Sequence, residues 1–402
     1  METVPALDID PFTDDVLRDP TRFWSELRAA GPVVKVQESQ GFDIVAVGRY
    51  DIVRQIFQAS DTYLNSSGGG ILDLTKGEMF REPQPLQETD APYHTHMRAL
   101  MNKIVSPRNL RALREFFQKS ADELLDKVLD LGEFDAQTEF AEAYPLKVIP
   151  DAVIGLRSDR RENLMRYSTF VFESMGPMTP RAKAVVDALD PEATVRWANE
   201  ACQQDMVAAG TFGAMIWDLF DEGKIKAQEA ALLVRSFVTA GVDTTIHGLG
   251  FTIQQLATNP DQWVKLREDP GLGKFAFEEG LRWGTPTRQI WRTAGREVEV
   301  DGVPAPEGQK IMLVQGAANH DPGQWGATAD NFDIMREAGG HLAFGRGAHT
   351  CLGAPIARME GDILLSTFAR KVKSLELTGE PETLLNNTIR GFTSLPLRIT
   401  AA

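Results

Sequence analysis

A glycine-rich run that contains a cysteine constrains this chain more than any other feature of its sequence. Residues 344–353 read Phe-Gly-Arg-Gly-Ala-His-Thr-Cys-Leu-Gly, and an amphipathic segment begins directly after them. Glycine lacks a Cβ and permits positive φ, so such a turn lets the backbone pass close to a flat, bulky group. Cys351 precedes a predicted helix, where backbone N–H groups and the helix dipole lower the pKa of a thiol. The run therefore indicates either a thiolate ligand to haem iron or a buried cysteine beside a tight turn.

Composition limits the classes of protein that the chain can belong to. It has 402 residues, of which 43% are hydrophobic and 25% charged, and its formal net charge is −15. This composition fills a large core, and the negative charge argues against non-specific binding to nucleic acid. The two cysteines, Cys202 and Cys351, are far apart, so no disulfide framework is expected. Because we find neither a signal peptide nor a run of about 18 apolar residues, we expect a soluble, cytoplasmic protein.

Hydrophobic periodicity predicts a mainly helical chain with a smaller β region. Helical spacing covers 21–30, 50–58, most of the chain up to residue 284, and about 354–372. Strand-like patterns mark 33–36, 42–47, 296–300 and 310–314. Residues 65–92 have no regular pattern, and loops of this length tend to be functional. No repeat or change of composition marks a boundary, so residues 1–402 are expected to form a single domain.

A second feature interrupts a predicted helix of unusual length. Helical spacing runs from about Lys226 to Thr258, and a helix of that length would span ~50 Å. Gly241, Asp243 and Thr244 lie at its midpoint, where glycine weakens the helical ladder and threonine can bond back to the preceding turn. We therefore expect a bulge or kink. The residues alone leave two interpretations: a structural kink with Asp243 paired to a basic residue, or an acid–alcohol pair that relays protons.

These two runs resemble the signatures of the cytochrome P450 family. Residues 344–353 fill every defining position of the family's Phe-Gly-x-Gly-x-His-x-Cys-x-Gly loop, and residues 240–245 are similar to its Ala/Gly-Gly-x-Asp/Glu-Thr-Thr motif. The resemblance implies a cytochrome P450 fold with haem between the central long helix and the helix after the cysteine loop. It implies haem b with Cys351 as axial thiolate, and with Phe344 and Gly345 in the binding loop. Thr244 would hydrogen-bond dioxygen, and Asp243 would deliver protons from solvent.

Further positions match the family in chain order. No Cys-x-x-Cys-His occurs, so haem is expected to be held non-covalently. Its two carboxylates need cationic partners, because unpaired buried charge is costly. The resemblance implies this role for His94, Arg98, Arg292 and His349, each of which taken alone could be a surface residue.

A helical acid–base pair matches another family motif. Glu279 and Arg282 are three residues apart on one helix face, as in the family's Glu-x-x-Arg. On an exposed helix such a pair contributes only a few tenths of a kcal/mol. The resemblance implies instead a buried structural pair in a network with the segment 331–333.

The whole chain is most similar to bacterial class I cytochromes P450 that oxidise para-substituted benzoates and demethylate 4-methoxybenzoate. In those relatives the region of Arg235 and Ser236 helps to bind the substrate carboxylate, and Thr239 continues the same helical stripe. An internal ion pair between Arg235 and a helix carboxylate is the alternative.

One departure from those relatives concerns the loop near Gly68. They carry an arginine there, whereas this chain reads Ser-Ser-Gly-Gly-Gly over 66–70. We expect Arg288 to have taken over contact with a polar or anionic substrate group. Apolar walls for a ring are expected from Phe170, Phe172, Met175 and Ile290, for which an ordinary core position is the alternative.

The sequence thus predicts a monooxygenase that activates O2 and hydroxylates or O-demethylates a small aromatic compound, such as a para-methoxy or para-alkyl benzoate. A hydroxylase of a terpenoid or other natural product is the alternative within the fold. A non-catalytic haem sensor is the alternative of another class, although it would have little need for a proton relay.

Electrons are expected to come from separate proteins, because the chain has no flavin or iron–sulfur motif. The expected partners are a 2Fe-2S ferredoxin and a reductase that uses NAD(P)H. Between Met97 and Ser120 the chain is basic, and Glu115 is its one acid. Such a block either steers an acidic partner or is a solvated helix face.

Overall fold

Helices form most of the molecule. The computed structural model describes residues 4–77, 82–157 and 161–402. Residues 78–81, within the loop predicted over 65–92, lie outside the described residues. The helices are α1 (Asp14–Arg18), α2 (Thr21–Ala30), α3 (Tyr50–Gln58), α4 (Tyr93–Ile104), α5 (Pro107–Leu131), α6 (Ala143–Val148), α7 (Glu162–Glu173), α8 (Pro180–Ala188), α9 (Pro191–Ala201), α10 (Phe212–Asp221), α11 (Ala227–Ala240), α12 (Asp243–Thr258), α13 (Pro260–Glu268), α14 (Gly273–Gly284), α15 (Gln315–Asn319), α16 (Pro322–Trp325) and α17 (Ala354–Lys371). Two π-helical turns, Gln137–Glu142 and Ile149–Ile154, flank α6.

The strands form small sheets, the largest of which has six strands in the order β1-β2-β3-β9-β6-β4. The strands are β1 (Ala6–Leu7), β2 (Val34–Ser39), β3 (Phe42–Val47), β4 (Tyr63–Leu64), β5 (Glu133–Asp135), β6 (Ile290–Ala294), β7 (Val298–Val300), β8 (Val303–Ala305), β9 (Lys310–Leu313), β10 (Val372–Leu377), β11 (Glu382–Thr383), β12 (Phe392–Ser394) and β13 (Pro396–Ala401). In the six-stranded sheet β6 runs antiparallel to β9, with Arg292 opposite Ile311. The predicted mainly helical chain with a smaller β region is confirmed.

The centre of the helical core is formed by α12, α14 and α17, which pack closely through small residues. Gly280 of α14 faces Thr252 of α12, and Gly361 of α17 faces the ring of Phe277; a Cβ at either glycine would clash. The same helices contribute buried side chains to the main hydrophobic cluster. This packing fixes the start of α17, and with it the position of the loop that precedes the helix. Within the part of the chain that the structure describes, no helix is long and apolar enough to cross a membrane.

The long central helix predicted over 226–258 is in fact two helices. α11 ends at Ala240 and α12 begins at Asp243, with Gly241 and Val242 between them. The Thr244 hydroxyl donates to the carbonyl of Ala240 at 2.9 Å, which gives that carbonyl a side-chain partner at the break. The predicted kink therefore occurs at the predicted residues, but it interrupts the helix completely. Ala240 is exposed and Thr244 is partly exposed, although most of their neighbours are buried.

Candidate active site

The loop that carries Cys351 is shaped by its glycines and by a backbone hydrogen bond. Gly345 and Gly347 have φ values of 64° and 74°, in the left-handed region that favours glycine. A Cβ on Gly347 would also clash with the carbonyl of Phe57 in α3. The Cys351 N–H donates to the carbonyl of Phe344 at 2.8 Å, so the two predicted loop residues lie side by side.

Cys351 has accessible surface, whereas Cys202 is buried. Burial among the surrounding atoms raises the pKa of the Cys351 thiol, while the N–H groups of Gly353 and Ala354 and the charge of Arg98 act to lower it. Accessible surface combined with strong desolvation is expected of a side chain in the wall of a cleft. The N–H groups at the start of α17 thus lower the pKa of the thiol, as the sequence predicted, and burial acts against them. A metal ion bound to the sulfur would reverse this balance, since a coordinating thiol is deprotonated.

Basic side chains from α4, β6 and the cysteine loop converge beside Cys351. The imidazole rings of His94 and His349 stack with their centroids 3.9 Å apart. Arg98, one turn after His94, donates to the carbonyl of Thr350 at 2.6 Å and so ties α4 to the loop. Arg292 is buried with its guanidinium over the ring of Phe57, 5.2 Å from the centroid. The structure thus brings together the cations that the sequence suggested.

This cluster of like charges is unfavourable unless an anion joins it. Burial, His94 and Arg292 lower the pKa of His349 to about 3, and burial lowers the pKa of Arg292 to about 10. Asp90 acts in the opposite direction, but its Oδ1 is 3.9 Å from His349 Nε2. Among the described residues, His94 Nε2 is buried without a hydrogen-bond partner. Buried cations with an unpartnered nitrogen suit a ligand that carries carboxylates.

The donor set therefore matches the requirements of haem. Cys351 would provide the axial sulfur, and His94, Arg98, Arg292 and His349 would hold the propionates. When bound, haem supplies the redox chemistry that activates dioxygen, and a thiolate ligand favours O–O cleavage.

Asp243 and Thr244 are adjacent on the first turn of α12, but their side chains have different partners. Asp243 is 2% exposed, and its Oδ2 accepts a hydrogen bond from the Ser168 hydroxyl of α7 at 3.0 Å. Its Oδ1 lies 3.0 Å from Nε2 of His247, one turn further along α12. The Thr244 hydroxyl donates instead to the carbonyl of Ala240. Asp243 thus has the basic neighbour that the structural interpretation expected, and that neighbour is His247.

Glu279 and Arg282 form a fully buried bidentate pair on α14. Two guanidinium nitrogens of Arg282 each donate to one carboxylate oxygen of Glu279 at 2.7 Å. Arg282 also donates to the carbonyl of Asn331, and the N–H of Asp333 donates to Glu279. Both side chains have an exposed fraction of 0%, so the pair holds the 331–333 segment against α14.

Arg235, Ser236 and Thr239 are buried on α11 and bonded within the protein. Arg235 donates to the side-chain oxygen of Asn199 at 2.7 Å and to the carbonyl of Glu82 at 3.2 Å. The Ser236 hydroxyl lies 3.1 Å from the side-chain amide of Gln84, and the Thr239 hydroxyl donates to the carbonyl of Arg235. Arg235 lines a cavity of about 370 Å³ between α9 and the first half of α11.

The remaining substrate candidates lie around the start of β6. Arg288 is buried and donates to the carbonyls of Leu17 and Ile389 at 3.1 and 3.3 Å. Burial together with Arg390 and Arg181 lowers the pKa of Arg288 to about 9. Its Nε and its other terminal nitrogen have no hydrogen-bond partner within the described ranges.

The apolar candidates divide into core and loop-facing residues. Phe170 and Phe172 are buried in α7. Ile290 is partly buried, and it lies with Met175 beside Gly69, so that a Cβ on Gly69 would be 3.6 Å from each. The structure therefore places Ile290 against the glycine-rich loop, whereas Arg288 is directed toward the end of α1.

Two residues near these sites were not anticipated from the sequence. His247 is the neighbour of Asp243, and the four-residue spacing on one helix face was an available signal. Lys310 of β9 donates to the carbonyls of Ser67, Gly68 and Gly70 at 2.6, 3.0 and 2.9 Å, and so fixes the glycine-rich loop. No local pattern indicates that contact, because it joins residues more than half the chain apart.

Known proteins similar to this chain share its motifs and its fold. The profile of the family Cytochrome P450 matches residues 274–400. Cytochrome p450 CYP199A2 of Rhodopseudomonas palustris is 40% identical over 400 residues, which cover 99% of this chain and 95% of that protein. The 6-deoxyerythronolide B hydroxylase of Saccharopolyspora erythraea is 29% identical, over 99% of this chain and 100% of that protein. The structure of cytochrome P450 CREJ in complex with (4-ethylphenyl) dihydrogen phosphate is similar with a TM-score of 0.85 and 25% identity, over 97% of this chain and 99% of that one.

The fold, the cysteine loop and the cation cluster together define a haem-thiolate enzyme of the oxygen-activating kind. The chain belongs to the cytochrome P450 family, and it is a monooxygenase of the bacterial type with haem b on a cysteine thiolate. The predicted fold class, cofactor and enzyme class are thereby confirmed. Members of this family usually receive their electrons from separate redox partners.

Proposed function

We propose that this monooxygenase hydroxylates or O-demethylates a small aromatic compound of the para-methoxy or para-alkyl benzoate type. The observation that carries the catalytic part is the convergence of buried cations beside Cys351, which we assign as the axial ligand. The substrate class is supported by the sequence resemblance to benzoate-oxidising relatives. It is also supported by the similar CREJ structure, whose bound molecule combines a para-alkyl ring with an anionic group.

Asp243 and Thr244 are the residues we assign to proton delivery. They lie on the first turn of α12, directly after the break, where Thr244 is partly exposed and Asp243 is buried. We assign to Asp243 the delivery of protons from solvent, as the family resemblance implies. The Thr244 hydroxyl donates to Ala240, so its oxygen remains able to accept a hydrogen bond. A haem sensor without turnover would not need this pair.

Arg288 is our candidate for the substrate carboxylate, with Arg235 and Ser236 as the second possibility. The support for Arg288 is its buried guanidinium, two nitrogens of which lack a partner among the described residues. Arg235 by contrast already donates to Asn199 and Glu82. We further assign Ile290 and Phe172 as apolar contacts of the ring.

The proposed electron donors are a 2Fe-2S ferredoxin and an NAD(P)H-dependent reductase in the cytoplasm, serving a single haem domain of residues 1–402. The support is the basic face of α4 and α5, where Lys103, Arg108 and Arg111 are exposed. Arg98 of the same face bonds directly to the cysteine loop, so a partner on this face would lie close to that loop.

The haem ligand and substrate class are tested by spectroscopy of the purified enzyme. We expect the reduced protein to give the thiolate-type band with CO, and 4-methoxybenzoate to shift the Soret band from low to high spin and release formaldehyde during turnover. Benzoate without a para substituent is the matched control and should yield no formaldehyde. Absence of the thiolate-type band in folded, haem-loaded protein would overturn the ligand assignment. A spin shift with terpenoids alone would favour the natural-product hydroxylase.

The carboxylate contact is tested by comparing an acid with its neutral ester. Arg288→Ala should weaken binding of 4-methoxybenzoate about tenfold or more, the usual effect of losing a charge-assisted hydrogen bond. Binding of the methyl ester should change little, because the ester lacks the negative charge. Arg235→Ala is the parallel variant, and a selective loss there would transfer the role to Arg235. Equal losses for acid and ester in both variants would contradict both assignments.

A further inference from the structure

Asp243 has a buried neighbour that the proposed proton delivery does not yet use. His247 is 3% exposed, and its Nε2 lies at ion-pair distance, 3.0 Å, from Oδ1 of Asp243. The other carboxylate oxygen accepts from Ser168, whose hydroxyl is also 3.1 Å from the carbonyl of Thr239. Oδ2 is thus hydrogen-bonded to α7, whereas Oδ1 faces His247 at ion-pair distance and has no hydrogen bond among the described residues. The Thr244 hydroxyl is bonded instead to the carbonyl of Ala240.

The position of the His247 ring is fixed by the backbone of Gly391, just before β12. A Cβ on Gly391 would overlap Nδ1 and the adjacent ring carbon of His247. Gly391 is outside the left-handed region, so the glycine is required for space and not for its own conformation. His247 Nδ1 is buried against this backbone and has no hydrogen-bond partner in the described part of the chain. The ring can thus present Nε2 to Asp243 and has little room to turn.

A third ionisable group near this pair is less buried than either member. Glu142 ends the π-helical turn that packs against α12 and is partly exposed. Burial raises the pKa of Glu142; the charge on His247 lowers it, and Asp243 and Asp135 raise it. A partly exposed carboxyl is therefore close enough to Asp243 and His247 for their charges to act on it.

We propose that His247 is a positioning residue for proton delivery, holding the Asp243 carboxylate between α12 and α7 so that its proton reaches Thr244 during turnover. This inference rests on the proposed role of Asp243 and Thr244. Without His247, only the hydrogen bond from Ser168 orients the carboxylate. Because a single contact leaves the carboxylate free to rotate, the proton is delivered less efficiently to Thr244. In coupled turnover, dioxygen yields the oxidised product and water. When the substrate is not oxidised, dioxygen takes up two electrons and two protons and leaves as hydrogen peroxide.

The experiment measures two ratios: moles of oxidised product formed per mole of NADH consumed, and moles of hydrogen peroxide formed per mole of NADH consumed. His247→Phe should lower the product fraction about tenfold, less than the roughly hundredfold expected of a direct proton donor, and peroxide should rise correspondingly. His247→Gln keeps an N–H donor near Asp243 and should restore most of the product fraction. The crystal structure of His247→Phe should show the Asp243 carboxylate rotated about its bond to Ser168, with Oδ1 displaced from its wild-type position, a readout independent of turnover.

A glycine variant tests the same idea without removing any polar group. Gly391→Ala adds one methyl group that displaces the imidazole, so it should raise peroxide as His247→Phe does. Gly379→Ala is the matched control, because its Cβ would make an ordinary contact of 3.5 Å with Pro396. Should His247→Phe fail to fold, Gly391→Ala carries the test.

Asp243→Asn separates the two proposals. If that variant couples normally, the proposed role of Asp243 fails. If it uncouples while His247→Phe and Gly391→Ala remain coupled, with the carboxylate unmoved in their crystal structures, the role of Asp243 stands and the inference about His247 is overturned.

Discussion

At the scale of single residues, burial decides what the pair Glu279 and Arg282 contributes. Every polar atom of the pair is used: Arg282 donates to Glu279 and to three main-chain carbonyls, and Glu279 also accepts from Arg336. Neutralising Glu279 would leave the buried guanidinium of Arg282 and the partly buried guanidinium of Arg336 beside a neutral side chain. Such an uncompensated buried charge is costly, whereas the complete pair can be close to neutral for stability.

We therefore expect Glu279→Gln to lower the free energy of unfolding by about 3–5 kcal/mol, as breaking a buried pair commonly does. The matched control is Glu26→Gln, which breaks the exposed pair of Arg22 and Glu26 on α2 and should cost less than about 1 kcal/mol. Urea unfolding of the haem-loaded enzyme, followed by circular dichroism, measures both. Similar small losses in the two variants would contradict the structural role assigned to Glu279.

Residues whose role follows from a local motif could be predicted from the sequence. Cys351 and its loop are an example, because glycines, histidine and cysteine at fixed spacing imply one geometry. The effect of the N–H groups on the Cys351 pKa could be predicted, but the opposing effect of burial could not, since it depends on how much protein surrounds the sulfur. The contact of Lys310 with the 67–70 loop could not be predicted from the sequence either, because only the folded sheet brings β9 beside that loop.

At the scale of elements, prolines and glycines located most helix ends correctly. α5 begins at Pro107 and ends before Gly132, and α13 begins at Pro260. The separation of α11 from α12 was underestimated, because hydrophobic periodicity continues through Gly241 while the backbone hydrogen bonding does not. Periodicity indicates which side chains are buried, and residues on both sides of the break are buried, so the pattern alone does not reveal it.

The contact of α14 with α17 and the chain before the cysteine loop gives a prediction about pH. Glu278 lies 3.2 Å from His341 Nε2, and Arg358 donates to it at 2.5 Å. Burial raises the pKa of Glu278, but His341 and Arg358 together outweigh burial and lower it from 4.5 to about 2. The unfolded chain therefore takes up the proton first, and stability that is complete above about pH 5 is lost as the pH falls toward 2.

Glu278→Gln should remove this part of the pH dependence. Between pH 6 and pH 4 the wild-type enzyme should lose about 1 kcal/mol more unfolding free energy than the variant, from protonation of the unfolded state. Urea titrations at the two pH values measure the difference. Parallel losses in wild type and variant would show that Glu278 keeps an ordinary pKa in the folded protein.

At the scale of the whole molecule, the distribution of charge is uneven. The chain has a formal net charge of −15, yet α4 and the first half of α5 expose Lys103, Arg108 and Arg111. This face adjoins the cysteine loop through Arg98. A negatively charged protein repels an acidic partner in general, so a local basic face both attracts that partner and selects its orientation.

Reversing charge on this face should therefore slow electron transfer from an acidic ferredoxin. We expect Arg108→Glu and Arg111→Glu each to lower the rate of haem reduction about tenfold at low salt, through slower association. Lys35→Glu is the matched control, since it changes the net charge equally but lies on β2, where Lys35 pairs with Asp43.

Salt should reduce the difference in reduction rate between variant and wild type, because the screening length falls to about 10 Å at 0.1 M. Stopped-flow reduction over a range of ionic strength measures all of these rates. If all three variants slow reduction equally, net charge rather than a docking face governs the encounter, and rates that do not respond to salt would exclude electrostatic docking on α4 and α5.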